Sequence, residues 1–265
     1  MKFVRHYLLA VQFFTRIPVT GRLADWVGYS PALLRASAAH FPGVGWLVGL
    51  WAAVVTYGLM LYLPASAFTP LVAAVLGTCA SVWLTGAFHE DGLADVADGL
   101  GGSSQREKAL LIMKDSRVGA FGVLAVVLML LAKVSVLALI GSFDALGMCL
   151  GLLAAHVVSR MLPLVLIRTL PHVGDDATSK SKPLADQISW PSLGVALLWT
   201  AAALAAVNWV DGTLNWVAPT LAAVVAMAWM GRLFWRRLRG FTGDCLGATQ
   251  QVCELVFYLA LALTL

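Results

Sequence analysis

The chain has 265 residues, of which 60% are hydrophobic and only 12% charged, with a formal net charge of +4. A mean hydropathy of +0.84 excludes an ordinary soluble domain, in which about a quarter of the residues are charged. It predicts an all-α, polytopic membrane helix bundle organised as one domain over residues 1–265. The isoelectric point of about 9.0 points to anionic lipid or anionic substrates. No basic patch is interleaved with exposed aromatics, so nucleic acid is not an expected partner.

The N-terminal MKFVRHYLLAVQFFTRIPV puts basic residues ahead of an apolar run, but Arg16 and Pro18 stand where a cleaved leader would carry small residues. It is expected to be retained as an amphipathic helix in the membrane interface or re-entering it. Residues 19–40 are polar by the standard of this chain and read as an elbow. Apolar segments long enough to cross hydrocarbon follow at roughly 43–63, 67–88, 118–141, 145–170, 192–210, 214–231 and 248–265. About seven spans, within a range of six to eight, are therefore predicted. Pro42, Gly43, Gly45 and Gly49 open the first of them, small residues that let a neighbouring helix come close.

Lysine and arginine set the orientation. All eighteen except Lys133 and Arg160 fall before the first span, between spans two and three, around the loop after span four, or after span six. The opposite loops LPASAF, IGSFDAL and NWVDGTLNW carry none. By the positive-inside rule the N-terminus and the basic loops face the cytoplasm. Cys79, Cys149, Cys245 and Cys253 are scattered, form no CxxC, and read as small apolar residues of the bundle.

Between spans two and three the sequence changes character. GAFHEDGLADVADGLGGSSQREKALLIMKDSRVGAFG, residues 86–122, holds Glu90, Asp91, Asp95, Asp98, Glu107 and Asp115, six of the fourteen acids. If residues 91–101 are helical, Asp91, Asp95 and Asp98 follow an i, i+4, i+7 pattern and share one face. Three like charges on a stripe are tolerated as a solvated face or as a cation site, and hard oxygen donors suit Mg²⁺, with Mn²⁺ as substitute, acting on a phosphate. His89 reads as an ordinary hydrogen-bonding residue or as one that carries a proton beside the acids. Gly101 to Ser104 end the helix. Asp115 would complete a metal site and Arg117 would take a phosphate bidentately.

Further along, Lys133 lies in span three. His156 and Arg160 share a face of span four, three residues ahead of Pro163. Charges at that depth mark a structural pair or a polar cavity, here one suited to an anion. The loop PHVGDDATSKSKPLADQISWP carries Lys180 and Lys182, spaced to reach one phosphate or serving as a positive-inside anchor. After span six, Asp244 follows a basic turn at the depth of Asp91, where it reads as another metal ligand or as a helix cap.

Together, FFTRIPV (13–19), HFPGVGWLVG (40–49), GAFHEDGLADVADG (86–99), DSRVGAFG (115–122), HVVSR (156–160), KSKP (180–183) and GDCLGATQQ (243–251) resemble the cobalamin synthase family, the adenosylcobinamide-GDP ribazoletransferases. The resemblance implies a membrane transferase joining adenosylcobinamide-GDP to α-ribazole or its 5′-phosphate, with release of GMP and Mg²⁺ as cofactor. It implies a site at the cytoplasmic face of the inner membrane, surrounded by membrane lipid, in a chain that a homo-oligomer would also suit. Asp91, Asp95 and Asp98 match its acidic motif, and Asp115 and Asp244 lie in two further acid-containing motifs. Asp91, Asp95 and His89 are the catalytic candidates on this reading, and Asp91, Asp95, Asp98, Asp115 and Asp244 the metal ligands. Arg117, His156, Arg160, Lys180 and Lys182 are expected to bind substrate.

Two other readings compete. A CDP-alcohol phosphotransferase also spaces aspartates at a membrane face, but three residues separate Asp91 from Asp95 and no Ala-Arg follows Gly99. A transporter would carry inverted repeats and mid-membrane acids. No repeat is evident, and the acids cluster near one face.

Overall fold

The structure, a computed structural model, describes residues 2–174 and 187–265. Among these the chain is helical, and its one β-type feature is an isolated bridge between His172 and Phe241. Lys180 and Lys182 lie outside the described residues.

The first helix, α1 (Lys2–Phe14), is amphipathic, burying Leu9, Ala10, Val11 and Phe14. Thirteen residues are too few to cross hydrocarbon, and α1 packs against the helices Pro31–Ser37 and Phe41–Tyr62 of the bundle. Short helices α2 (Gly21–Val27) and α3 (Pro31–Ser37) form the elbow. The long rods are α4 (Phe41–Tyr62), α5 (Thr69–Thr85), α8 (Ala120–Phe143), α9 (Ala145–Thr169), α10 (Trp190–Val210), α11 (Val217–Leu238) and α12 (Gly243–Ala262). Between α5 and α8 lie α6 (Phe88–Gly102) and α7 (Arg106–Met113). Among the described residues six helices are long and apolar enough to span a membrane, or seven if the bent pair α5 and α6 counts as one span. The chain is a multi-pass membrane bundle, and its rods coincide with the seven apolar segments of the sequence.

Helix α9 is the axis. Of its apolar window 94% is buried, against 17% for α8, as expected of a helix apolar all round and enclosed by others. The glycines of α4 make the closest contact to it. A Cβ at Gly45 would stand 2.5 Å from His156 O, and one at Gly49 2.9 Å from Leu153 Cα. Only a missing side chain allows backbones that near.

The rods alternate in direction. Leu139, Phe143, Asp144, Leu214 and Ala262 meet at one end, while the other end gathers α6, α7, the end of α11 and the start of α12. There Arg106 donates through Nε to Leu238 O at 2.6 Å. Arg237 donates to Leu100 O and Ser103 O at 3.0 and 2.7 Å. Two arginines thus satisfy carbonyls left over at helix ends and fix α6 and α7 to α11.

Candidate active site

The site begins with a bend. α5 ends at Gly86 in the left-handed region (φ 70°), Ala87 follows at φ 60°, and α6 departs at 90° to α5. The first of these positions suits glycine alone, since Arg16 lies where a Cβ would fall, 2.6 Å from its Nε. Arg16 N also donates to Leu84 O at 2.8 Å. A left-handed alanine costs roughly 1–2 kcal/mol, and the bend it makes turns α6 across the end of the bundle.

Along α6 each residue advances by about 100°. Asp91, Asp95 and Asp98 consequently share one face, as the spacing predicted, with Gly92 to one side and Ala94 to the other. The start of α8 closes the Ala94 side, where a Cβ at Gly122 would be 2.9 Å from Ala94 O. The start of α12 closes the Gly92 side, where a Cβ would be 2.8 Å from Asp244 O. Asp91 is exposed and Asp95 half-buried between these two helix starts. The Asp95 carboxylate feels the charges of Asp244, Asp91 and Asp98, and Asp244 that of Asp91. Both flanking helices direct their N-terminal ends, the positive pole of the helix dipole, at this cleft.

The five expected metal ligands are not equivalent. Asp98 is buried and accepts from Gly119 N at 2.7 Å and Gly122 N at 2.8 Å, so both carboxylate oxygens cap α8. Asp115 is paired with Arg117, whose Nη2 lies 2.6 Å from Oδ2. The side-chain hydrogen bond from Arg117, reinforced by its backbone N–H, holds the Asp115 carboxyl at about 2 and raises the guanidinium in turn. Asp244 accepts from the Thr242 hydroxyl at 3.2 Å. Among the described residues no three His, Cys, Asp or Glu side chains converge tightly enough to hold a metal. The acids form an open oxygen-lined cleft and not a closed cage. That arrangement fits Mg²⁺, which keeps waters and substrate phosphates around one or two protein carboxylates.

His89 does not belong to that face. It stands two positions from Asp91, about 200° round the helix, and its ring is only 2% exposed. Phe41 stacks on it at 5.7 Å and Phe88 meets it edge-on at 5.5 Å. Its expected part as proton carrier beside the acids therefore finds no support in its placement.

His156 and Arg160 are equally enclosed, in the centre of the bundle. Arg160 donates through Nη1 to His156 Nδ1 and to His156 O, each at 2.9 Å. Across from them stands Glu254 of α12, a residue the sequence reading did not single out. Lys133 lies 3.1 Å from its Oε1, Tyr258 donates to it at 3.1 Å, Gln250 donates to Oε2 at 2.6 Å, and His156 Nδ1 is 3.5 Å away. Gln251 extends the network, accepting from Lys133 at 3.0 Å and donating to Glu90 at 3.0 Å. Two acids thus offset two bases in a formally neutral buried cluster, the form in which charge persists inside a bundle. This network ties α6 to α8, α9 and α12. The signal for Glu254 was present: Gln250, Glu254 and Tyr258 recur every four residues on one face of an apolar helix.

The chain matches the family described as Cobalamin-5-phosphate synthase over residues 6–262. It is 63% identical to the adenosylcobinamide-GDP ribazoletransferase of Polaromonas sp., with 100% of this chain and 98% of that one aligned. The enzyme of the same name from Leptothrix cholodnii is 46% identical over 96% and 94% of the two chains. That from Vibrio cholerae is 41% identical over 96% and 92%. No solved structure matches. A match running from residue 6 to residue 262, with relatives aligned almost end to end, places the chain in the cobalamin-5-phosphate synthase family.

Proposed function

We propose that this chain joins adenosylcobinamide-GDP to α-ribazole, or to its 5′-phosphate, and releases GMP. The observation that carries the reading to a site is the cleft of Asp91, Asp95 and Asp244, set between the starts of α8 and α12 in a chain of this family. In the reaction a ribose hydroxyl oxygen bonds to the phosphorus carried by the corrinoid arm. The bond from that phosphorus to the GMP oxygen breaks, and the hydroxyl proton leaves.

Such a transfer depends on positioning and on neutralising phosphoryl charge. Mg²⁺, when bound, supplies that neutralisation, and Asp91, Asp95 and Asp244 are the residues that would hold it. Asp95, half-buried among like charges, is the group best placed to take the hydroxyl proton. Arg117 is exposed and exchanges Asp115 for a substrate phosphate, while the N-terminal ends of α8 and α12 face the same anion. Asp98 acts through position, holding the Asp115–Arg117 loop and α8 against α6. His156 and Arg160 hold the bundle together around Glu254. The basic end of the bundle faces the cytoplasm of a bacterial inner membrane, which brings the cleft to the compartment of its soluble substrates.

The test is GMP release from adenosylcobinamide-GDP by purified protein in lipid nanodiscs, with each acceptor and over a Mg²⁺ titration. Mg²⁺-dependent release that requires an acceptor is expected. Release that proceeds equally in EDTA would refute the metal assignment, and no release with either acceptor would refute the reaction.

A further inference from the structure

The two helices that bring the cleft acids together meet at glycines. A Cβ at Gly92 would stand 2.8 Å from Asp244 O, and one at Gly247 3.2 Å from His89 O. Such a contact fixes how near α6 and α12 come but leaves them free to rotate about it, since no side chain interlocks there. A second point removes that freedom. Gln251 lies two turns beyond Asp244 on the same face of α12, roughly 10 Å along it, and donates through Nε2 to Glu90 Oε1 at 3.0 Å. Glu90 is buried and directly precedes Asp91. Its Oε2 has no hydrogen-bond partner, so among the described residues Gln251 is the one side chain hydrogen-bonded to this carboxylate. Gln251 is held in turn, accepting from Lys133 of α8 at 3.0 Å and donating also to Gln250 at 2.9 Å.

We propose that Glu90 is a positioning residue for the reaction: through the hydrogen bond from Gln251 it sets the rotation of α6 against α12, and with it the spacing at which Asp91 and Asp95 face Asp244. The inference rests on the reading of that cleft given above and adds the device that keeps its two walls in register. Glu90 does not act in the cleft itself. It stands about 100° round the helix from Asp91 and is buried where Asp91 is exposed. A carboxylate enclosed in a bundle with one oxygen unpaired is costly, and a leucine would fill the same space between α6 and α12 without that cost. Charge balance asks only for an acid near Arg160, which feels the charge of Glu90, and is satisfied whether or not that acid is bonded to α12. The bond to Gln251 is what joins the helix of Asp91 and Asp95 to the helix of Asp244, and bond and charge can be varied separately.

The experiment uses full-length protein in nanodiscs and three readouts: Mn²⁺ binding without substrate, followed by loss of the free ion's EPR signal, GMP release, and melting temperature. Glu90→Leu removes the acceptor, and Gln251→Glu sets a second carboxylate against the first. Each should weaken Mn²⁺ binding and lower turnover by about tenfold or more, the scale of losing a residue that orients a metal ligand. Glu90→Gln keeps an acceptor oxygen, and the exchange of Glu90→Gln with Gln251→Glu restores a donor opposite an acceptor at unchanged net charge. Both should bind Mn²⁺ and turn over close to wild type, and rescue by the exchange decides the matter even where Glu90→Leu fails to fold. Disruptive variants that melt lower but bind and turn over as wild type does would overturn the proposal, leaving the bond a purely structural one. So would an exchange variant as impaired as Gln251→Glu, or a Glu90→Gln as impaired as Glu90→Leu, which would assign the effect to charge. A wild type that releases GMP without binding Mn²⁺ would refute the metal reading of the cleft, and the same variants then decide the positioning by turnover. One that binds Mn²⁺ but releases no GMP would refute the reaction, and they decide it by Mn²⁺ affinity. A wild type that does neither would refute both.

Discussion

Gly92 lies so close to Asp244 that a Cβ on it would stand 2.8 Å from the Asp244 carbonyl oxygen and 3.0 Å from its Cα. Backbone against backbone is what brings an acid from the last helix to the edge of an acid face that begins 153 positions earlier at Asp91. Gly247 repeats the contact one turn on, where a Cβ would sit 3.2 Å from His89 O. Gly92→Val should push the start of α12 away, costing roughly 1–3 kcal/mol of stability and most of the turnover. Thermal unfolding and GMP release check it, and full activity in Gly92→Val would show that Asp244 need not stay where it is.

The Glu254 network predicts a non-additive result. Removing one partner of a buried ion pair strands the other, so Glu254→Leu and Lys133→Met should each destabilise by roughly 3–5 kcal/mol. The double variant, which strands neither member of that pair, should be more stable than the sum of the two losses implies. Unfolding of all four proteins in one detergent measures it. Strict additivity would mean that the 3.1 Å pair contributes no coupling.

Asp98 separates positioning from metal binding. As the cap of α8 it should cost about 1–2 kcal/mol when changed to alanine and less when changed to asparagine, which still accepts a backbone N–H. The Mg²⁺ concentration giving half-maximal activity of Asp98→Asn should stay at the wild-type value. A large rise in that concentration would make Asp98 a ligand as well.

Asp115 sets a pH expectation with a definite sign. Its carboxyl is lowered from 3.8 to about 2 by Arg117, so whatever the pair contributes is present above the ordinary aspartate value and lost only as the pH falls through about 2. Between about pH 5 and 8 the stability profiles of wild type and Asp115→Asn should run parallel. Melting temperatures across that range provide the check, and a step removed by the variant would contradict it.

Much of this was legible in the sequence because hydropathy and period are local. The seven apolar runs became the seven rods, and the spacing of Asp91, Asp95 and Asp98 became one helix face. What distinguishes those three acids is not local. Asp98 is a cap only because Gly119 and Gly122 return to it after α7, and nothing in the spacing of aspartates reports that return. His89 was grouped with the acids by adjacency in the chain, whereas residues two apart on a helix face nearly opposite ways. His156 and Arg160 correctly signalled buried charge, but their partner Glu254 lies on a different rod, and only packing joins them.

The central claim is that the carboxylates on α6 serve phosphoryl transfer, and Asp95 tests it most directly. GMP release should be measured for wild type and Asp95→Asn in the same nanodiscs, from zero to saturating Mg²⁺, with folding confirmed by melting temperature. The variant should lose at least about a hundredfold in turnover while retaining its fold, and added Mg²⁺ should not restore it. A folded Asp95→Asn that releases GMP at the wild-type rate would contradict the account.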